Sequence, residues 1–239
     1  KSKTWRYRGM IYTLIAGIES MQSDYPDAIP KATVSFSKAK ELDTKGQYEE
    51  EIKKSVMDLY NTSLQEGVAA YQKQEYEKSM NHFILNQDVL AVLGLIDSLG
   101  IYNAGLSADL AGFTDIAIES YKRSAALGYE GEYCYTKTIA LLQNQKKYDE
   151  AIALAKEARN AYPDSQQIIT AQLNVFLGAE MFEEAEIELD QAAQDNPDDP
   201  SMWFAIGVVK DNLNKKDEAI EAYKTSLEVD PDYYNSTMN

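Results

Sequence analysis

The chain has one histidine, His82, and one cysteine, Cys134, and together they bound the chemistry open to it. A catalytic base needs a nucleophile or carboxylate held beside it. The polar neighbours of His82 in sequence are Asn81 and Asn86, so His82 reads as a helix-surface or half-buried side chain. Zinc sites built from His and Cys need three or four such ligands, which one of each does not supply. The stretch VLGLIDSLG at 92–100 spaces its glycines on a helical pattern and lacks the lysine of a phosphate-binding loop. Acid pairs such as Glu183 and Glu184 are what a chain with 39 acids places on solvated helix faces. No catalytic residue, metal ligand or cofactor emerges. Cys134 has no internal partner for a disulfide, reads as a small helix residue, and leaves the redox compartment undecided.

Composition narrows the partners instead. The formal charge is -16, from 39 acids and 23 bases, which argues against nucleic acid and against an anionic membrane surface. No run of about 18 uncharged apolar residues exists, so direct membrane insertion is not expected. With 44% apolar residues over 239 positions, the chain has the material for a real core. Lysine rather than methionine at position 1 is what a processed or excised segment would show, and any removed signal peptide or lipid anchor would be invisible in it.

An internal period organises everything else. The segment KKDEAIEAYKTSLEVDPD at 215–232 has cousins at 146–164 and 181–199; Ala151, Ala185 and Ala219 are 34 apart, and so are Pro163, Pro197 and Pro231. Each unit holds two helices: SMWFAIGVVKDNL carries Trp203, Ile206, Gly207 and Val208 on helical spacing, and Ala219, Tyr223 and Ser226 mark one face of the second. Gly207, twelve residues before Ala219, falls where the two helices would touch, and a small residue there permits close backbone approach. Pro231 stops the second helix and is placed to open the next element. The same pattern runs through Tyr135, Ile139, Tyr148, Ala155, Ala158 and Pro163, and through Ile169, Leu173, Phe182, Leu189, Ala192 and Pro197. Upstream it continues through Gly105, Ala117, Tyr121 and Ser124.

Earlier copies drift. Gly67, Tyr76, Ser79 and Phe83 match, but 38 residues separate Ser79 from Ala117, and a long first helix over about 48–73 is expected to lead in. At the start, Trp5, Gly9 and Tyr12 read as a first helix and Ala32, Phe36 and Ala39 as a second. Their separation exceeds the repeat by 11 residues, with MQSDYPDAIP as an extended linker.

A 34-residue helix–turn–helix with W-x3-G, an alanine at the crossing, an aromatic four later and a closing proline resembles the tetratricopeptide repeat. The resemblance implies an all-α fold, a right-handed α-α superhelix of about six helix pairs forming a single solenoid over 1–239. Its parts would be a degenerate repeat with an insertion at 1–45, a second repeat at 46–90, and repeats at 96–129, 130–163, 164–197 and 198–231. Residues 232–239 would be a tail or the start of a capping helix. The opening repeat also looks like tetratricopeptide proteins of gut Bacteroidota, many of them exported, which implies an exported or periplasmic location.

In such proteins the first helices of successive pairs line a concave groove that holds a peptide or protein segment. By register the resemblance places Tyr71, Tyr102 and Leu106 there, then Tyr133, Thr136 and Asn144, then Gln167 and Asn174, and finally Phe204 and Asn212. Ala140, Gln143 and Thr170 fall on the same face. Positions that carry Lys, Asn and Arg in the clamp for acidic chaperone tails are held here by residues such as Leu64, Val68, Tyr102, Asn103 and Leu106, so that clamp is not expected. A groove of Tyr, Asn, Gln and Thr suits backbone hydrogen bonding to an extended segment. The function expected is therefore a non-catalytic interaction scaffold, with a self-assembling structural factor or a glycan or small-ligand binder as alternatives.

Charge is unevenly placed. Residues 1–40 hold seven bases and three acids, whereas 179–239 hold four bases and sixteen acids. A basic partner, or weak head-to-tail self-association, would be drawn to the acidic end.

Overall fold

The computed structural model describes residues 1–233, and every regular element among them is helical. Two compact units divide the chain. Unit 1, Lys1–Glu130, holds α1 (Ser2–Ala16), α2 (Glu19–Gln22), α3 (Ala28–Leu42), α4 (Glu49–Gln72), α5 (Tyr76–Ala91), α6 (Ser98–Ala111) and α7 (Thr114–Ala126). Unit 2 begins at Gly131 and holds α8 (Gly131–Asn144), α9 (Tyr148–Ala161), α10 (Gln166–Ala179), α11 (Phe182–Asp195), α12 (Pro200–Asn212) and α13 (Lys216–Val229). The all-α class and the expected helix pairs are present: α1 with α3, α4 with α5 and α6 with α7 in unit 1, and three consecutive pairs in unit 2.

Within a pair, a glycine on the first helix receives an aromatic ring from the second. Gly9 faces Phe36, Gly67 faces Phe83, Gly105 faces Tyr121 and Gly207 faces Tyr223. A methyl group built on Gly9 would lie 2.5 Å from the Phe36 ring, and on Gly105 3.0 Å from that of Tyr121. Phe36 and Tyr121 have no exposed surface, and burying such a ring is worth about 1.5–3 kcal/mol. Buried serines tie the helices of two pairs together beside these contacts, with Ser79 Oγ donating to the Gly67 carbonyl at 2.9 Å and Ser226 Oγ to that of Pro200 at 2.7 Å. Around them, Phe36, Ile52, Val56, Leu59 and Val89 form a core in unit 1, and Leu173, Phe176, Leu189, Met202 and Ile206 form one in unit 2.

Backbone geometry repeats with the same period. The turns that close α6, α8, α10 and α12 each contain a residue in a left-handed conformation: Gly112 at φ 82°, Lys146 at 57°, Glu180 at 57° and Asn214 at 59°, each 34 residues after the last. One residue further on, the N–H of Phe113, Lys147, Met181 and Lys215 bonds back to Ala108, Leu142, Phe176 and Lys210 at 2.9–3.0 Å, the Schellman arrangement that satisfies orphan carbonyls. Gln74, 38 residues before Gly112, makes the same turn, so the sequence drift upstream is an insertion between intact pairs. Helix starts are periodic as well. Asp97 Oδ1 accepts from the Gly100 N–H at 2.9 Å, Ser165 Oγ from Ile168 at 3.2 Å and Asp199 Oδ1 from Ser201 at 2.9 Å, on multiples of 34.

Two local expectations change. The segment at 21–30 is not an extended linker: α2 and a turn carry it, α3 already begins at Ala28, and the Gln22 side chain bonds the Ala16 carbonyl at 3.2 Å. Pro30 fits inside the first turn of α3, where no backbone N–H is needed. The repeating prolines do not open the following helices. Pro163 and Pro197 sit two residues past the ends of α9 and α11, and it is Pro200 that starts α12. The long helix expected at about 48–73 is α4, and Cys134 is a fully buried helix residue. The tail expected beyond Tyr233 lies outside the described residues.

Two stability outcomes follow. Gly9→Ala, which pushes a methyl group into a ring that has no solvent to retreat to, is expected to cost about 1–3 kcal/mol in chemical denaturation. Lys146→Gly and Glu180→Gly relieve left-handed strain at exposed turns and should each stabilise by up to about 1 kcal/mol, whereas Asn214→Gly, which replaces a residue that tolerates this conformation, should change little.

Candidate functional site

The first helices α8 and α10 of unit 2 enclose a groove of about 470 Å³. Thr136, Ala140 and Gln143 line it from α8 and Gln167, Thr170 and Asn174 from α10, with Ile139 and Ala171 contributing apolar surface. No charged side chain is among its lining residues. Gln143 Nε2 donates to the Asn174 carbonyl at 2.9 Å, which fixes one amide across the groove. Helix periodicity explains the convergence: 136, 140 and 143 are one face of α8, and 167, 170, 171 and 174 one face of α10.

Tyr233, just after α13, also lines this groove, and sequence reasoning gave it no role beyond the tail. Its ring meets Phe204 edge-on at 6.0 Å between centroids, and Phe204 in turn lies 5.6 Å from Tyr223. Burial pushes the Tyr233 hydroxyl above the ordinary tyrosine range. The signal that could have found it is the aromatic pair in DYYN, which is costly to leave wholly in water.

The structure therefore brings Thr136, Gln167 and Asn174 together, with Phe204 reaching the groove through Tyr233. Tyr133 is half-buried with Lys137 Nζ 5.6 Å over its ring, and it does not line the groove. Asn144 and Asn212 are exposed near the far ends of α8 and α12, and Asn212 bonds back to the Val208 carbonyl. In unit 1, Tyr71 packs against Tyr76 at 5.5 Å, and Tyr102 lies 5.6 Å from Tyr129 and 6.4 Å from Tyr121. Leu106 is half-buried beside them on α6.

His82 acquires a different neighbour from those its sequence suggested. Ser63 Oγ, on α4, lies 3.4 Å from its Nδ1 and is also 3.4 Å from the His82 carbonyl. At that length the contact neither activates a hydroxyl nor orients an imidazole. Asn86 is fully buried and neither end of its amide finds a partner among the described residues, so it does not orient the ring. No group of three His, Cys, Asp or Glu among the described residues is arranged to hold a metal. No helix among them is long and apolar enough to cross a membrane.

Comparison with known proteins places this geometry. The sequence pattern described as tetratricopeptide repeat matches residues 200–233, the α12–α13 pair. Residues 200–233 are a tetratricopeptide repeat. Solved tetratricopeptide-type structures extend the likeness to the fold of the chain. MamA 41-end from Desulfovibrio magneticus RS-1 is 13% identical with a TM-score of 0.50, covering 72% of this chain and 95% of that one. A MamA RS-1 double mutant is 14% identical with a TM-score of 0.52, covering 73% and 96%. YrrB, described as a TPR protein with an unusual peptide-binding site, is 12% identical with a TM-score of 0.50, covering 72% and 87%. No curated protein matches the sequence. The tetratricopeptide-repeat fold read from the 34-residue period is thus the fold observed.

His82 gives a pH test of the packing between α4 and α5. Burial holds its imidazole below the ordinary histidine range, so the folded chain favours the neutral ring more than the unfolded chain does. That contribution is full above the unfolded value near 6.5 and is lost as pH falls through the lower folded one. The melting temperature of the wild type should fall more between neutral and mildly acid pH than that of His82→Gln. Parallel curves would show that the ring is not desolvated.

Proposed function

We propose that this chain is a non-catalytic interaction scaffold, and that the α8–α10 groove holds an extended, uncharged polar segment of a partner protein. The observation that carries the reading is the lining itself: amides and hydroxyls from Thr136, Gln143, Gln167, Thr170 and Asn174, with Tyr233 beside them and no charge. Asn and Gln offer a donor and an acceptor on one side chain, as a peptide backbone does, and an aromatic ring adds contact area at small entropic cost. An ionised ligand would find no counter-charge in this lining. That YrrB is described as peptide-binding supports the class of ligand. Tyr71, Tyr102, Leu106, Tyr133, Asn144, Phe204 and Asn212 are proposed as further contacts outside the groove. An exported location is part of the proposal, supported by the likeness of the opening repeat to exported proteins, and cell fractionation tests it.

Selection from a random-peptide display library against the full chain is the direct test. Neutral sequences rich in Asn, Gln, Ser and Thr should be enriched, and Thr170→Arg or Asn174→Arg should weaken them at least about tenfold, or about 1.4 kcal/mol. Val34→Ala, at an exposed position of α3 in unit 1, should leave binding unchanged. Enrichment of acidic or basic sequences, or binding that survives both arginine variants, would remove the groove from the mechanism. Selective stabilisation by oligosaccharides in a thermal-shift series, with no peptide enriched, would replace the peptide with a glycan.

A further inference from the structure

The outer face of α1 is an uncovered apolar stripe. Tyr7, Met10, Ile11 and Leu14 follow the helical repeat, Ile18 extends it past the helix end, and all five are exposed, Leu14 at 69% and Ile11 at 57%. The equivalent face elsewhere is covered. Ala205 and Val209 flank Gly207 on α12 as Tyr7 and Ile11 flank Gly9 on α1, yet they are 2% and 0% exposed, packed in one cluster with Ala193 of the preceding α11. The complementary half of that contact is uncovered on α13. Leu227, 34 residues after Ala193, is 43% exposed where Ala193 is 2%, and Ile220 one face-turn earlier is 51% exposed. α1 and α13 thus each show the side that an adjoining pair covers inside unit 2.

Charge matches the two faces. α1 contains Lys3, Arg6 and Arg8 and no acid. Among the described residues Lys3 and Arg6 have no carboxylate partner, and both cations lie over the Tyr7 ring. On α13, Lys216 and Lys224 share the stripe of Ile220 and Leu227, but Asp217, Glu218, Glu221 and Glu228 outnumber them, and Asp217, Glu221 and Glu228 are exposed with no cationic partner among the described residues, which leaves the face net acidic. We propose that a second copy of this chain covers α1 with its α13, so that copies join head to tail through a contact of the kind made between neighbouring pairs. The inference is independent of the groove. An uncovered apolar face on a repeat helix is the kind of surface that an adjoining pair covers, the two surfaces are different, and a heterologous contact of this type propagates instead of stopping at a two-fold dimer. Opposite charge steers the ends together and makes the association salt-sensitive.

Sedimentation velocity of the full chain over a range of concentration is the test. The weight-average mass should rise past that of a dimer, and the association should weaken as salt goes from about 0.05 M to about 0.5 M. Ile11→Glu and Leu227→Lys should each weaken self-association at least about tenfold. Leu14→Asp, at the most exposed position of the stripe, provides a second α1 variant whose folding is protected, and circular dichroism melts verify all three. The deciding measurement is a mixture: Ile11→Glu retains a good α13 face and Leu227→Lys a good α1 face, so together they should restore a 1:1 dimer that neither forms alone. A monomer at every concentration overturns the proposal. So does association lost in Ile11→Glu but kept in Leu227→Lys, which would mean α1 pairing with α1. Cosedimentation with phosphatidylglycerol vesicles that needs the α1 stripe, with no self-association in solution, would assign the face to lipid and overturn it too.

Discussion

The close approach of a backbone to a ring governs how each helix pair is built. Where Gly9, Gly67, Gly105 or Gly207 removes a side chain from the first helix, the second supplies Phe36, Phe83, Tyr121 or Tyr223 to fill the space. The other two pairs place Ile139 and Ala155, or Leu173 and Leu189, at the same register positions, so the volume is redistributed without changing the period. Native packing density tolerates such exchanges when the total is kept. Everything further out, from the buried serine bonds to the groove-facing residues of α8 and α10, takes its angular position from that crossing.

The fold was legible because two physical constraints share one spacing. A small residue must recur where helices touch, and a stop must recur where they end, so Ala151, Ala185, Ala219 and the prolines announce the pairs. Less was legible where chemistry is carried by backbone conformation. Lys146 and Glu180 take a left-handed conformation that their identity gives no hint of, because the Schellman hydrogen bonds and not the residue type enforce it. The 11-residue excess is visible in the spacing, but its composition suggests extension where local bonds from Gln22 and the Tyr25 N–H make turns.

The site was legible in part for a related reason. Face assignment by period brings Thr136, Gln167 and Asn174 onto one groove lining, since they project from regular helix. Period alone puts Tyr71 and Tyr102 on the groove face and gives no sign that their rings also pack on neighbouring tyrosines within unit 1. Ring pairs of this kind gain about 0.5–1.5 kcal/mol beyond burial, enough to hold a side chain against its own unit. Tyr233 escaped because it follows the last full repeat, where the period offers no register.

The periodic helix ends also bear on how such a chain changes length. The first helices α10 and α12 start on the side-chain caps Ser165 and Asp199, and the turns at Glu180 and Asn214 satisfy the carbonyls that follow. A genetic duplication or deletion of one 34-residue segment cut between Asp164 and Ser165 would therefore join capped end to capped end, exposing no unsatisfied backbone at the seam. Lengthening by whole periods is in this sense a neutral edit for the local backbone, and only the surfaces on either side of the new pair would have to be matched.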